Sequence, residues 1–530
     1  MSINRTGCQG GVRAIACVTI LCLLTWLAPS SSAQITTATI SGVVTDHNGA
    51  TIAGARVTAV NVGTNASRSV NTDAEGRYLI LALPVGNYDV QAEHDGFSKE
   101  LRRGILLTVG RDAIVNFELK VGSVTDQVEV TGDAPLVNTT SSEISTLVDA
   151  RTIVDLPLNG RDLFQLATLQ IGVINIGSLT ENALDSGTGS VKMSINGGRP
   201  NFNNFLLDGA SVSEVQNTTP GSVTGSFTGV DAIQEFQLLT NNYSAEYGGA
   251  GGGIINVVTK SGTNEVHGTA FEFLRNSALD ARNFFDLEDV PPFKRNQFGA
   301  SIGAPIRRDR TFIFGAYEGF RQRLARTRIF TVPTVEARRG ILPSGNITIS
   351  PAVKPYLDLY PLPNAGDAGG GLGFYTRGDS GKTSEDYFTV RADHNFSSKD
   401  TFFARYTFDD SELNEPDKII SNTVLAGRTQ YTGLGQTHIF SPNLLNNLRF
   451  AYNRTRVFGD QVDVIPVPED LFWVPGAVAL GAFINVGGLS ELSDRRLVPR
   501  FLIQNSFEVT EQLAYIRGSH SMKFGFTARR

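Results

Sequence analysis

Polar and apolar side chains alternate along the chain after residue 263, and this alternation leaves few possible folds. In the segment 387–396, Phe388 and Val390 share one face of an extended chain, while Thr389 and Arg391 share the other. Successive side chains of a β-strand point to opposite faces. The pattern therefore predicts strands whose two faces meet different environments.

Short and long spacers alternate between these segments. Short spacers lie at 307–309, 397–400, 441–443 and 517–519, and long ones near 277–294, 323–383, 411–425 and 457–499. Strands are predicted at about 264–276, 295–305, 310–322, 384–396, 399–410, 426–440, 443–456, 500–516 and 520–528. Transmembrane barrels have short periplasmic turns, long outer loops and one lipid-facing side on each strand. A soluble β-sandwich with one wet face would explain the alternation but not the order of the spacers.

Residues 1–33 have the three parts of a secretory signal peptide. Arg5 and Arg13 precede an apolar run at 14–28, and small residues at 30–33 offer a cleavage site. The alternative is a membrane anchor, but a run of about 15 residues is short for a spanning helix, which needs about 20. All three cysteines precede residue 30, so cleavage would exclude disulfides and cysteine-ligated metals from the rest.

Residues 34–121 have the pattern of a small β-domain. Short apolar segments such as 40–44 and 55–60 are separated by clusters of turn residues. Strands punctuated every 8–12 residues or so are typical of a β-sandwich. Asp73 and Glu75 raise the alternative of a calcium site, but a hairpin turn closed by a glycine accounts for them better.

Between the sandwich and the alternating strands, a connector at 122–132 is followed by a mixed α/β region at 133–262. The connector alternates apolar and polar residues over one strand length. In the mixed region, a helix is expected after residue 160. Its apolar stripe consists of Leu163, Phe164, Leu166 and Leu169.

Other motifs give no support for catalysis, and we expect no enzyme, no catalytic residue, no metal and no cofactor. The net charge of -6 does not favour a nucleic-acid partner. The glycine run at 248–253 precedes a strand and has no dinucleotide-binding register. Lys382 and Thr383 end like a phosphate-binding loop, but Thr376 stands where its first glycine belongs. The six histidines form no close ligand pair.

The motifs taken together resemble TonB-dependent outer-membrane receptors of the Oar-like group. In the mixed region the resemblance rests on LPLNGR at 156–161, NGGRP at 196–200, NFLLDG at 204–209, AEYG at 245–248 and GIINVVTKSGTN at 253–264. In the alternating region it rests on FLRN at 273–276, LDARNFF at 279–285, RDRTF at 308–312 and FSPN at 440–443. The first domain, with TDAEGRY at 72–78 and LPVGNY at 83–88, resembles the non-catalytic carboxypeptidase regulatory-like domain.

The resemblance implies a mainly β chain in the outer membrane of a diderm bacterium. It would consist of an N-terminal β-sandwich at 34–121, a linker at 122–132, a mixed α/β plug at 133–262 and the first part of a transmembrane antiparallel β-barrel at 263–530. The family implies a barrel of roughly 22 strands around the plug. Because about nine strands are predicted here, we expect the chain to be a gene fragment or a truncated product.

The resemblance also implies two sets of site residues. The first is a TonB box, an extended strand that pairs with TonB: Asp126, Gln127, Val128, Glu129, Val130, Thr131 and Gly132. An ordinary linker strand, or the last strand of the sandwich, is the alternative. The second set is charged plug residues that would face the barrel wall: Arg161, Arg199, Asp208, Glu235, Glu246 and Lys260. Solvated surface charges are the alternative for this set.

The function implied is energised uptake. The expected partners are TonB with its inner-membrane energising complex, outer-membrane lipid and an unidentified extracellular ligand. A cell-surface adhesion or organisation protein of the Oar type is the alternative function. Iron chelates, cobalamin, glycans and peptides all remain open as ligands, because long loops carry no readable code.

Overall fold

A computed structural model describes fourteen stretches of the chain. They are residues 36–122, 127–131, 142–156, 158, 161–177, 192–214, 220–223, 225, 227–281, 290–473, 480, 486–492, 499–518 and 520–530. The predicted signal peptide at 1–33 lies outside the described residues, as do Asp126 and Gly132. In these stretches, no helix has the length and apolar character needed to cross a membrane.

The N-terminal part forms two β-sheets around one core. Its strands are β1 (Ala38–Asp46), β2 (Arg56–Asn61), β3 (Ser67–Asn71), β4 (Arg77–Leu83), β5 (Gly86–Glu93), β6 (Lys99–Leu107), β7 (Asp112–Ile114), β8 (Phe117–Leu119) and β9 (Gln127–Thr131). One sheet has the order β4-β1-β7, with β8 also paired to β1, and the other has the order β3-β2-β5-β6-β9. Ile40 and Phe117 of the first sheet and Val57 and Tyr88 of the second are buried in the same core, so this part is a β-sandwich.

The middle part is a mixed α/β plug. Its elements are β10 (Ile144–Asp149), α1 (Ala150–Asp155), α2 (Phe164–Ala167), β11 (Val173–Gly177), β12 (Lys192–Ile195), β13 (Asn204–Leu207), β14 (Ala210–Ser211), β15 (Ile233–Asn241) and β16 (Ile254–Thr259). The sheet has the order β10-β15-β16-β13-β14, and β11 pairs with β12 as a separate hairpin. Phe164, Phe205, Phe236 and Ile255 share its core.

The helix expected after residue 160 is present but much shorter than its apolar stripe implied. Leu163, Phe164 and Leu166 are buried as expected, whereas Leu169 is 73% exposed, so the prediction for Leu169 is wrong. The helix α2 ends at Ala167, two residues before Leu169, so the helical periodicity that would bring Leu169 over the core is not continued.

The alternating region forms one large antiparallel sheet. Its strands are β17 (His267–Asn276), β18 (Phe293–Arg307), β19 (Thr311–Pro333), β20 (Ile341–Leu342), β21 (Gly345–Asn346), β22 (Asp367–Gly369), β23 (Leu372–Asn395), β24 (Asp400–Glu415), β25 (Ser421–Ser441), β26 (Leu444–Asp463), β27 (Arg500–Arg517) and β28 (His520–Arg529). Helix α3 spans Lys354–Asp358. The sheet has the order β17-β18-β19-β23-β24-β25-β26-β27-β28, while β20 and β21 form a separate hairpin and β22 pairs with β23. Single 3-10 turns lie at Pro200–Phe202, Val230–Ala232, Ser277–Leu279, Ala337–Arg339 and Glu469–Leu471.

Each of the predicted strand segments contains a strand, but β19 and β23 run further than expected. They have 23 and 24 residues and stay paired as far as Pro333 and Leu372. A strand needs about 9–11 residues to span a membrane. The outer ends of β19 and β23 therefore extend into water, where neither face meets lipid. Alternation is lost there, which is why the segment at 323–383 resembled a loop.

Burial on the large sheet is the reverse of that in a soluble protein. On β23 the polar Thr389 is 2% exposed, whereas its apolar neighbours Phe388 and Val390 are 38% and 43% exposed. The same holds on β24, where Arg405 and Thr407 are buried. Polar side chains face the plug and apolar side chains face outward, as in a transmembrane barrel. The prediction of a mainly β chain with a sandwich, a plug and a transmembrane sheet is confirmed.

The long outer loops share a small apolar core of their own. Val332 at the outer end of β19, Ile420 before β25, and Leu480 and Leu492 between β26 and β27 are fully buried together. Hydrogen bonds join the same loops, because the Tyr360 hydroxyl donates to the Ser490 carbonyl at 3.1 Å and the Ile420 amide donates to the Leu492 carbonyl at 3.2 Å. The loops are thus packed against one another.

The apolar outer face of the large sheet predicts that a charged side chain introduced there destabilises the protein in the membrane. We expect Val390→Arg to lower the amount of protein assembled in the outer membrane, since a lipid-facing arginine near the midplane costs about 2–4 kcal/mol. Ile347→Arg, in an exposed outer loop, is the matched control and should assemble normally. The measurement is heat-modifiable gel mobility of the outer-membrane fraction. Normal assembly of Val390→Arg would contradict the lipid-facing assignment.

Candidate functional site

The plug lies against the polar face of the large sheet, and Asp208 is the centre of their contact. Leu207 pairs with Ala210 across a two-residue turn. Asp208 and Gly209 within the turn both have left-handed backbones, with φ of 50° and 77°. An Asp-Gly sequence suits such a turn between two strands. The turn directs the Asp208 carboxylate toward the barrel wall.

Asp208 is held by two arginines of the wall and by its own domain. The amide and the hydroxyl of Thr259 each donate to the carboxylate at 2.9 Å. Arg391 of β23 lies 3.3 Å from Oδ1, and Arg405 of β24 contacts Oδ2. Burial alone would raise the pKa of Asp208, but Arg405, Arg391 and the Thr259 hydrogen bonds outweigh it, and the pKa lies below its usual value. The carboxylate is therefore charged.

The two arginines need this carboxylate. Arg391 and Arg405 are direct cross-strand partners, and like charges in such positions repel each other. Arg391 is also paired to Asp393 at 2.8 Å. Arg405, by contrast, has a side chain only 1% exposed, and its described ion pair is the one with Asp208. Removal of the plug would leave a buried guanidinium without this partner.

Arg161 makes a second contact between plug and wall. Its guanidinium lies 2.5 Å from Asp231 Oδ2 in the plug and 3.3 Å from Glu318 Oε1 on β19. It also stacks over the ring of Phe271 on β17, 4.1 Å from the centroid, a favourable placement for a cation. The Thr269 hydroxyl of β17 donates to Asp231 at 3.0 Å.

Glu246 makes a third contact, with the last two strands of the sheet. Its Oε2 accepts a hydrogen bond from Gln512 Nε2 at 2.6 Å, and its Oε1 lies 2.8 Å from Lys523 Nζ. Glu246 and Lys523 side chains are 17% and 38% exposed, so water reaches this pair more readily than it reaches Asp208.

Glu235, Lys260 and Arg199 have other surroundings. Glu235 is buried and accepts a hydrogen bond from the Val109 amide of the sandwich at 2.5 Å. Burial raises the pKa of Glu235 to about 7 despite this bond. Burial lowers the pKa of Lys260, and nearby Asp231 opposes that change. Arg199 is exposed, and its carbonyl accepts from the Phe202 amide.

The wall partners were not singled out from sequence. Arg391, Arg405, Glu318 and Lys523 come from four different strands. A signal was present, since Arg391 and Arg405 occupy inward positions of alternating strands. A charge at an inward position needs a counter-charge where the plug buries it. Which plug residue supplies it depends on the three-dimensional placement of the plug.

The predicted TonB box lies at an edge of the sandwich. Residues Gln127–Thr131 form β9, which runs parallel to β6 with Lys99 opposite Gln127 and Arg103 opposite Thr131. Among the described strands, β6 alone pairs with β9. Within the described part of the chain, the backbone groups along the other edge of β9 are thus available to a further strand. In the described stretches, no cluster of three or more histidines and carboxylates has the arrangement of a metal site.

Comparison with known proteins places the chain in a family. The outer membrane beta barrel domain family matches residues 258–530, and the carboxypeptidase regulatory-like domain matches residues 39–120. The first match covers more than half of the chain, and the chain belongs to the outer membrane beta barrel domain family. The resemblance to Oar-like TonB-dependent receptors and the predicted outer-membrane location are confirmed.

The chain is also similar to individual known proteins. The chain is 29% identical over 314 residues to the TonB-dependent transporter Oar of Myxococcus xanthus. The aligned residues make up 58% of this chain and 29% of that protein. The chain thus spans less than a third of that relative. It also resembles the outer membrane transporter YddB of Escherichia coli, with TM-score 0.45, 15% identity and coverage of 73% and 47% of the two chains. The ferric yersiniabactin uptake receptor FyuA of Yersinia pestis is similar with TM-score 0.40 and 11% identity, over 73% of this chain and 60% of that chain.

The buried ion pairs predict that Asp208 stabilises the seated plug. We expect Asp208→Ala to destabilise the protein by about 3–5 kcal/mol, because it leaves buried positive charge without its partner. The measurement is urea unfolding in detergent, followed by trypsin cleavage within the plug. The control Asp358→Ala breaks an exposed pair with Lys354 and should change stability by less than about 1 kcal/mol. Equal midpoints for the two variants would contradict the role of Asp208.

The raised pKa of Glu235 predicts a pH-dependent contact between sandwich and plug. The contribution of Glu235 to the stability of the folded protein is complete below pH 4.5, the usual pKa of a glutamate. It is lost as the pH rises through the raised pKa of about 7, because the buried carboxyl then becomes charged. We expect Glu235→Gln to be more stable than the parent by about 1–3 kcal/mol at high pH and equal to it at low pH.

Thermal unfolding in detergent across this pH range measures the effect. The exposed Glu75→Gln serves as control, because its carboxylate pairs with Arg77 in solvent, and it should follow the parent. A parallel pH profile for Glu235→Gln and the parent would show that Glu235 does not titrate in this range.

Proposed function

We propose that the chain acts in TonB-dependent uptake of an extracellular ligand across the outer membrane. The observation that carries this proposal is the plug itself, seated on the inner face of a lipid-facing sheet and held there by ion pairs. Its relative from Myxococcus xanthus is described as a TonB-dependent transporter, and the relatives reported above are transporters and receptors.

The plug contacts are of a kind that can be released. Arg161 and Glu246 bridge plug and wall through ion pairs and hydrogen bonds. Water can hydrogen-bond to these groups as the contacts open, which offsets part of the cost of breaking each contact. An apolar interface would offer no such replacement. A mechanical pull can therefore shift the plug without unfolding the barrel.

The pull would enter through β9. A strand of TonB adds to the free edge of β9 by backbone hydrogen bonding. The chain then continues from β9 to β10, the edge strand of the plug sheet, which pairs with β15 alone among the described strands. Only Val148 of β10 is buried. Detaching β10 breaks one ladder and exposes little apolar surface, so β10 is the part of the plug that yields first.

The ligand would be captured by the outer loops. Their common apolar core, with Val332, Ile420 and Leu492, holds the loops in one arrangement above the plug. A preformed arrangement lowers the entropic cost of binding. The chemical class of the ligand stays open among iron chelates, cobalamin, glycans and peptides.

The proposal predicts that TonB binding depends on the backbone of β9. We expect Val128→Pro combined with Val130→Pro to abolish capture by the purified periplasmic domain of TonB, because proline removes the amide donors that strand addition needs. The matched control is Val128→Ala with Val130→Ala, which keeps both amides and should be captured. Outer-membrane assembly is checked by gel mobility. Undiminished capture of the proline variant would remove β9 as the TonB site.

A further inference from the structure

The sandwich is attached to the side of the sheet that carries the short turns. The turn between β2 and β3 meets the turn between β18 and β19, where Asn65 Nδ2 donates to Asp309 Oδ1 at 2.9 Å. Asn264 Nδ2 donates to the same oxygen at 2.8 Å, and the Asn264 amide donates to the Gly63 carbonyl at 2.8 Å. Short turns lie on the periplasmic side of outer-membrane barrels. The contact therefore lies on the periplasmic rim.

Both turns are preformed for this contact. Asn65 and Asp309 have left-handed backbones, with φ of 56° and 63°. The Asn61 side chain accepts from the amides of Gly63 and Thr64 at 3.0 Å each and so fixes the β2–β3 turn. Little conformational entropy is lost when two such turns meet.

The sandwich also contacts the plug and strand β26 directly. The Val109 amide donates to Glu235 of the plug, and the Arg449 guanidinium of β26 donates to Thr36 Oγ1 at 2.7 Å. Between these contacts and the rim lies a cavity of about 890 Å³, which borders both Lys260 and Asp208 of the plug. The sandwich thus covers the region below the plug into which a released ligand would pass.

The rim contacts are weaker than those of the plug. The hydrogen bonds of Asp309 are exposed, so water can replace them as they open. Asp208 and Arg405, by contrast, are buried as an ion pair, and breaking such a pair leaves buried charge without a partner. A load on β9 reaches the sandwich directly, because β9 is one of its strands. Under such a load, the exposed hydrogen bonds at the rim therefore open before the buried ion pair between plug and wall.

We propose that the N-terminal sandwich is a periplasmic gate, closed by its β2–β3 turn on the barrel rim at Asp309 and Asn264. The opening step rests on the proposed TonB-dependent function. Closed, the gate covers the mouth and supports the plug through Glu235. Open, it frees the mouth for the plug and the ligand.

A disulfide across the rim tests the gate. A Cβ on Gly63 would lie 3.7 Å from Thr263 Cβ, within the disulfide range of about 3.5–4.5 Å. The chain has no cysteine after Cys22, so Gly63→Cys with Thr263→Cys introduces a unique pair. The control is Thr58→Cys with Ser69→Cys inside the sandwich, where the two hydroxyls are 2.8 Å apart. Single variants at Gly63 and Thr263 exclude intermolecular links.

Cells with and without TonB receive a pulse of oxidant, and non-reducing gels follow the loss of free thiol. We expect the rim pair to oxidise completely without TonB and severalfold more slowly in energised cells with TonB, while the control pair oxidises equally in both. Failure of the rim pair to oxidise, or an equal rate in both cells, overturns the gate. If TonB still captures the parent chain in that case, only the gate has failed. If TonB does not capture the parent chain, the proposed function itself is overturned.

Discussion

The reversal of polarity across the large sheet is the constraint on which the rest of the structure depends. Hydrocarbon satisfies no hydrogen bond, so strands in the membrane must be paired and the side chains that meet lipid must be mainly apolar. The polar side chains are thereby forced inward, and buried arginines such as Arg391 and Arg405 need counter-charges. Asp208 of the plug provides one. The lipid environment thus places the arginines on the inner face of the sheet, and the same arginines hold the plug there through Asp208.

Three of the contacts that hold the wall, the plug and the sandwich together differ in their exposure to solvent. Asp208 and Arg405 are buried, the Glu246–Lys523 pair is partly exposed, and the Asn65–Asp309 contact is exposed. Contacts near solvent contribute less and exchange more readily with water. The same order applies to the strands, since β10 has one buried residue whereas every residue of β16 is buried. The parts nearest β9 are the easiest to move.

The strands of the large sheet could be predicted from sequence because their signal is local. Phe388, Thr389 and Val390 display it within three residues. The pairing of Asp208 with Arg405 could not be predicted, because 197 residues separate them and only the docked plug brings them together. The outer halves of β19 and β23 were missed since water on both faces removes the alternation. Leu169 was misplaced because an apolar stripe does not say where a helix ends.

The shared core of the outer loops has a consequence for how such a surface diversifies. Tyr360, Ile420 and Leu492 belong to three separate loops, yet each is buried by the others. A change of shape in one loop must be matched by its neighbours, or a void of the kind that destabilises any core will form. New binding properties would therefore arise through coordinated substitutions in several loops. A substitution in one loop would be retained only where the residues of the neighbouring loops still pack against it.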